Sequence, residues 1–248
     1  MMPSVSVVMP VHDGAAFLPQ AIATIDAQGD AMLEIVLVDD GSTDATPTLA
    51  AALAAERGER VQVLRTERRG PAAARNAGIA VARGAAIALL DVDDLWPAGR
   101  LAALRRPLDA DPTLDAVIGK IEIVFTPQAA GVWDPDQFRK DPVFFPHLGA
   151  GLFRPALFGR VGTFDETMRF GEDVDWYMRV LESAPRLRAI PDVVLQYRLH
   201  DTNMTTDREA VARATKLVVT RSMLRRRRAG HLDPVPKLTD FLALEDRE

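Results

Sequence analysis

Cysteine is absent from this chain. Disulfides and thiolate-bound metals are therefore excluded, and the absence fits a reducing compartment. Long apolar runs are missing as well. No stretch approaches the roughly 20 residues that span a bilayer. The opening "MMPSVSVVMP" has neither a basic n-region nor a long apolar h-region, so a signal peptide is not expected. Aromatic residues make up only 6% of the chain and the formal net charge is -5, which argues against a nucleic-acid protein. No G-x-G-x-x-G follows the first apolar run, and no G-x-x-x-x-G-K-[ST] occurs anywhere. The usual glycine cradles for phosphate are thus not available.

What is present is a chain of 248 residues with 48% hydrophobic content, enough for one large domain or one domain with a small appendage. Residues 5–9, 33–38, 61–64 and "AAIALL" read as strands. Between them lie helical patterns. The first covers 17–27, with Pro19 tolerable near its start. The second is "STDATPTLAAALAAE", capped by Ser42, Thr43 or Asp44. The third is "PAAARNAGIAVA", begun by Pro71 and stopped by Gly84. This alternation predicts an α/β fold with a mostly parallel sheet and helices on both faces. After Pro97 the pattern loosens. It gives a helix at 101–108, one or two strands over 116–125 broken near Gly119 and Lys120, and a long loop over 126–146. Then come a helix at 173–183, a strand at 193–199 and a helix at 207–228. Trp133 and His147 either line a cleft in this part or serve in packing.

Ligands of open parallel sheets bind outside the carboxyl ends of the strands. Three ends here are polar: Pro10-Val11-His12-Asp13-Gly14, Asp39-Asp40-Gly41-Ser42 and Asp91-Val92-Asp93-Asp94. Each alone is ordinary turn chemistry; together they predict one crevice. Crowded carboxylates repel unless something positive stands between them. A divalent cation held by Asp91 and Asp93, with a substrate diphosphate, supplies that balance, because Mg²⁺ and Mn²⁺ favour oxygen ligands. The competing reading is an acidic helix start, for which Asp94 is the better capping candidate.

The segments "VSVVMPVHDGAAFLPQAI", "EIVLVDDGSTDAT", "GPAAARNAGIAVARG" and "IALLDVDDLW" resemble the successive motifs of family 2 glycosyltransferases. The resemblance implies a GT-A fold, Rossmann-like, with a smaller acceptor-side region. It implies an inverting enzyme that uses Mn²⁺ or Mg²⁺ and a nucleotide-sugar, most simply a UDP-sugar. Residues 1–96 then form the nucleotide-sugar half, 97–206 the acceptor and base half, and 207–248 a helical tail.

By the same resemblance, Pro10, Val11 and His12 flank the nucleoside base, with Asp13 next to them in the donor site. Asp40 reads the uracil edge with Asp39 beside it, and Arg75 and Asn76 lie near the nucleotide. Asp91 and Val92 face the ribose side. Asp91 and Asp93 hold the metal, and His200 either ligates it or touches the diphosphate. "GEDVDWYMR" supplies Asp173 as catalytic base and Glu172 beside it. The family commonly has Tyr-Asn where this chain has His12-Asp13, which alters stacking beside the base and adds a carboxylate near a phosphate site. Read from the residues alone, Glu172 and Asp173 equally suit a helix N-terminus, and His200 serves equally as a structural histidine.

"KLVVTRSMLRRRR" carries only positive ionisable groups. It is either a solvated helix end or a contact for phosphate or an acidic lipid surface, through Arg221–Arg228. A cytoplasmic protein, peripheral at the inner membrane face, is the corresponding expectation. The acceptor is a glycan, a lipid-linked sugar or a peptide hydroxyl. The reading from a different class is a nucleotide-sugar-binding subunit or sensor without catalysis.

Overall fold

The computed structural model describes residues 4–29, 33–138, 141–230, 234–235 and 237–241. β1 (Val5–Val11) and β2 (Leu33–Asp40) are buried along their whole length. Such continuous burial is what a strand covered on both faces requires. β3 (Val61–Thr66) lies at the sheet edge and is only partly buried. β4 (Ala86–Leu89), β5 (Ala116–Phe125), β6 (Gly151–Phe153) and β7 (Leu187–Leu199) complete one seven-stranded sheet in the order β3-β2-β1-β4-β6-β5-β7. Pairing is parallel except at β6, which runs antiparallel to β4 and β5.

Helices cover the sheet. α1 (Leu18–Asp26) buries Leu18, Ala21, Ile22 and Ile25, the stripe expected of a 3.6-residue period. α3 (Pro71–Val81) comes so close to β1 that a Cβ on Gly78 would lie 2.4 Å from Val8 Cγ1. α4 (Arg100–Ala110), α5 (Pro155–Val161), α6 (Glu172–Glu182) and α7 (Arg208–Arg228) belong to the second part of the chain.

Several expectations change in detail. α2 (Thr46–Arg57) has Ala45 at its cap position, without a side-chain cap bond. Asp44 instead accepts the N–H groups of Thr46 and Ala15 at 2.9 and 3.0 Å, and the Ser42 hydroxyl accepts the Asp13 N–H at 2.9 Å. α3 ends before Gly84, which serves another purpose: a Cβ there would lie 2.4 Å from the Ser6 backbone nitrogen. β5 is one strand whose register shifts around Lys120. β7 starts earlier than its apolar run, and β6 and α5 had no signal in the sequence. A three-residue strand is too short to display a period. The 126–146 segment contains two short 3-10 turns, Pro127–Ala129 and Pro135–Gln137, and a bridge from Val143 to Ile121.

Arg100 ties the second part together. It is 1% exposed and lies over Trp96, 3.9 Å from the ring centre. Its Nε donates to the Val194 carbonyl at 2.8 Å, and Nη2 donates to the Gly149 and Gly151 carbonyls at 2.7 and 3.1 Å. Burial pulls its pKa down to about 9. Replacing Arg100 with Met strands three buried acceptors. We expect a loss of about 3 kcal/mol, read as a lower urea midpoint at an unchanged m-value, with partial recovery in Arg100→Lys.

Candidate active site

In the sheet, β1 has β2 on one side and β4 on the other. Connections leave in opposite directions there, so a crevice opens outside the strand ends. Pro10 and Val11 are buried within β1, paired with Val38 and Asp39. Val92 stands beside the turn: a Cβ on Gly14 would lie 2.9 Å from Val92 Cγ1 and 2.6 Å from Val11 Cγ2.

His12 follows at the mouth. Its Nδ1 is 2.8 Å from the Asp40 carbonyl, an oxygen that only accepts, so Nδ1 carries the proton. Nε2 faces Asp13 Oδ2 at 3.3 Å without an aligned hydrogen bond. Asp13 adopts φ +47°, the left-handed region that Asp tolerates. Its Oδ1 accepts the N–H groups of Thr43 and Asp44 at 2.7 and 3.2 Å, and the first of these bonds lowers its pKa. The unusual carboxylate therefore fastens the β1 turn to the β2 turn.

The next pair is similarly engaged. Asp39 accepts Ser42 N–H at 2.8 Å and Arg65 Nη1 at 2.9 Å. Asp40 accepts the Thr66 hydroxyl at 2.6 Å, Arg69 N–H at 2.8 Å and Gly70 N–H at 2.7 Å. It holds the loop that leads into α3. Asn76 reaches elsewhere, exchanging bonds with the Phe164 backbone at 2.9 and 3.0 Å and donating to Glu166 at 3.0 Å.

Arg75 stands at the centre. It is 6% exposed, yet it joins two carboxylates: Nη2 to Asp91 Oδ1 at 2.7 Å and Nη1 to Glu172 Oε1 at 2.6 Å. Burial opposes its charge, but Asp91 and Glu172 outweigh burial and raise its pKa. Asp91 is likewise penalised by burial, but Arg75 holds its pKa below the ordinary value. Burial dominates at Glu172 and raises its pKa despite Arg75. Asp173, the next residue, acts electrostatically on Arg75, Glu172, His147 and Tyr177. Gly171, at φ +74°, makes the left-handed turn that opens α6 and sets both acids at its N-terminus.

A second group forms where β7 meets the fourth strand's end. Arg198 N–H donates to Asp94 Oδ1 at 3.0 Å, and Arg198 Nε donates to the Asp93 carbonyl. These bonds bring His200 Nε2 to 3.1 Å from Asp93 Oδ2. Asn203 Nδ2 is 3.4 Å from the same oxygen, and Phe17 packs on the His200 ring with centres 4.8 Å apart. Asp91 takes a different set of neighbours: Asp91, Asp94 and His147 offer ligand atoms within 4.8 Å of one another. Asp94 is fully buried, and its Oδ2 has no hydrogen-bond partner. Burial, then the charges of Asp93 and Asp91, raises its pKa well above the ordinary value. His147 Nδ1 accepts Gly149 N–H at 3.1 Å, which leaves Nε2 3.8 Å from Asp94.

Sequence reasoning grouped Asp91, Asp93 and His200. The fold brings Asp93 to His200 and holds Asp91 on Arg75. Asp94 does not cap a helix, since α4 starts after Gly99; it anchors β7. Asn203 and Arg198 were missed, and only their closeness in sequence to His200 marks them. The carboxylate oxygens of this group are donors suited to Mn²⁺ or Mg²⁺.

A family model described as Glycosyl transferase family 2 matches residues 6–163. Succinoglycan biosynthesis protein ExoU of Rhizobium meliloti (strain 1021) is 30% identical, across 98% of this chain and 80% of that protein. ExoO of the same organism is 31% identical, across 80% of this chain and 62% of that protein. Among solved structures, PcManGT of Pyrobaculum calidifontis, a mannosyltransferase in complex with GDP-Man and Mn²⁺, has a TM-score of 0.69 at 25% identity. S. aureus TarS 1-349 in complex with UDP-GlcNAc has a TM-score of 0.69 at 20% identity. The chain covers 65% and 66% of these two structures, which cover 90% and 89% of it.

Arg75→Met should cost about 3–5 kcal/mol near neutral pH, because it leaves buried carboxylates uncompensated. The sign of the pH dependence follows. In the parent, the depressed Asp91 pKa contributes stability above the ordinary 3.8 that fades as pH falls through the folded value. In Arg75→Met the stranded acids prefer their protonated forms, so the deficit should shrink on acidification. Urea titrations across pH check this; a constant deficit contradicts it.

Proposed function

This chain belongs to glycosyl transferase family 2 and has the GT-A fold, and we propose that it transfers a sugar from a UDP-linked donor to an acceptor hydroxyl with inversion. The observation that carries this reading is the Arg75 bridge from Asp91 to Glu172. It joins the donor-side strand end to the acidic helix start as one charged cluster. In this reading residues 1–96 hold the donor, 97–206 the acceptor and base, and 207–248 form the tail.

Each group then has a task. Pro10, Val11, His12, Asp39 and Asp40 frame the base, with Asp13 bracing the two turns. Arg75 and Asn76 fix α3 against the opposite side, and Asp91 with Val92 faces the ribose. Asp93 and His200 are the pair to hold Mn²⁺ or Mg²⁺, with Asp91 as a further carboxylate at the same strand end. When bound, the cation neutralises charge growing on the leaving diphosphate. Asp173 takes the proton from the acceptor hydroxyl. The new C–O bond forms on the face opposite the departing phosphate, whose C–O bond breaks, and the anomeric centre inverts. Glu172, held by Arg75, positions Asp173 beside it. A binding subunit without catalysis has no need for an acid placed this way, and some relatives, among them EpsJ of Bacillus subtilis and GlyG of Streptococcus pneumoniae, carry glycosyltransferase names.

Two variants separate binding from chemistry. Asp173→Asn should lower kcat by about 10²–10⁴-fold while donor KM changes little. Asp93→Asn should abolish the extra thermal stabilisation that Mn²⁺ gives with a UDP-sugar. A screen of UDP-, GDP- and TDP-sugars tests the donor. Full turnover in both variants, or stabilisation by GDP-sugars alone, contradicts the corresponding assignment.

A further inference from the structure

The arginine-rich helix divides its charges between two sides. Arg221 Nη1 pairs with Asp165 at 2.7 Å, and Arg225 pairs with Glu182 and Asp175 at 2.8 and 2.9 Å. These two cations, with buried Val218 and Ser222, fasten α7 to α6 and the loop before it. They are therefore not presented to a surface, contrary to the undivided run 221–228 expected from sequence.

The opposite side is composed differently. Leu217, Val219, Met223 and Leu224 are 45%, 50%, 55% and 48% exposed. Half of the large exposed hydrophobics among the described residues thus fall within eight positions of one helix. Exposed Lys216, Arg227 and Arg228 lie among them, and the helix has no acid after Glu209. Beyond the left-handed Gly230, Leu238 packs into the core with Val235 and Phe241. Those described residues are spent elsewhere.

We propose that the outward face of α7 docks on an anionic lipid bilayer, with its apolar side chains in the headgroup boundary and its cations on lipid phosphates. Exposed apolar side chains interleaved with cations, and with no acid among them, suit an anionic lipid surface that takes up both kinds of group. Charge complementarity selects the occupant. A second copy of this face would bring arginine against arginine, whereas an anionic surface attracts every cation on it. The inference does not depend on the sugar or on the transfer chemistry.

The test is cosedimentation of the whole protein with vesicles. Binding is expected to equimolar phosphatidylcholine and phosphatidylglycerol, not to phosphatidylcholine alone, and to weaken as salt approaches about 1 M. Arg227→Gln with Arg228→Gln should reduce partitioning by about fivefold per cation. Leu217→Gln, Met223→Gln and Leu224→Gln together should remove it. Arg225→Gln deletes the same charge from the inner side and should change binding less than twofold. Retained melting behaviour and donor-induced stabilisation show that the outward variants fold.

Equal effects of Arg225→Gln and the outward substitutions would overturn the face assignment. Absence of vesicle binding would overturn the proposal in either of two ways. A concentration-dependent dimer in light scattering, lost in the triple Gln variant, identifies a second copy as the occupant. A monomer that binds no vesicle overturns the proposal without a replacement occupant.

Discussion

A buried guanidinium between two carboxylates holds the centre of this molecule together. Asp91 arrives at the end of a buried strand, and Glu172 opens a helix 81 residues later. Without Arg75 the two acids would face each other in a medium that screens poorly. With it, the strand end and helix start are fixed relative to one another before any ligand arrives. Charge fixed in this way needs no reorganisation when a ligand is bound.

The second half of the constellation comes through β7. Residues 94 and 198 are far apart in sequence, yet the Arg198 N–H on Asp94 and the Leu95–Gln196 bridge register the last strand against the acidic turn. His200 then reaches Asp93 as a consequence of strand register. Trp133 adds a third element: its Nε1 donates to the His200 carbonyl at 2.8 Å. The long 126–146 segment is thereby connected to the backbone of the histidine that meets Asp93.

The alternation of buried strands and amphipathic helices was readable up to residue 96, since apolar runs such as Ile-Val-Leu-Val and Ala-Ala-Ile-Ala-Leu-Leu between turn signals need no tertiary context. The motif residues at strand ends were readable for the same reason: parallel order forces them to one edge. Asp13 was legible as unusual but not as the clasp between two turns, because its bonds run to backbone amides 30 and 31 residues away. Asp94 looked like a helix cap because Pro97 suggested an early helix start. The helix begins only at Arg100, and the carboxylate turns inward to β7. β6 could not be found, as three residues, Gly-Leu-Phe, carry neither period nor length.

That short strand has a larger meaning. Between the parallel run β3-β2-β1-β4 and the β5–β7 pair, continuity of the sheet rests on one bridged pair, Ile87 with Phe153. Backbone bonding across this line is slight, so cohesion falls to side-chain packing, where Val8, Ile87 and Leu89 of the parallel run share one buried cluster with Phe153, Trp176 and Tyr177. A seam sewn by side chains instead of a ladder lets each flank change length and loop composition independently. Substitutions in this shared cluster should loosen one flank from the other, while the Leu95–Gln196 bridge still registers β7.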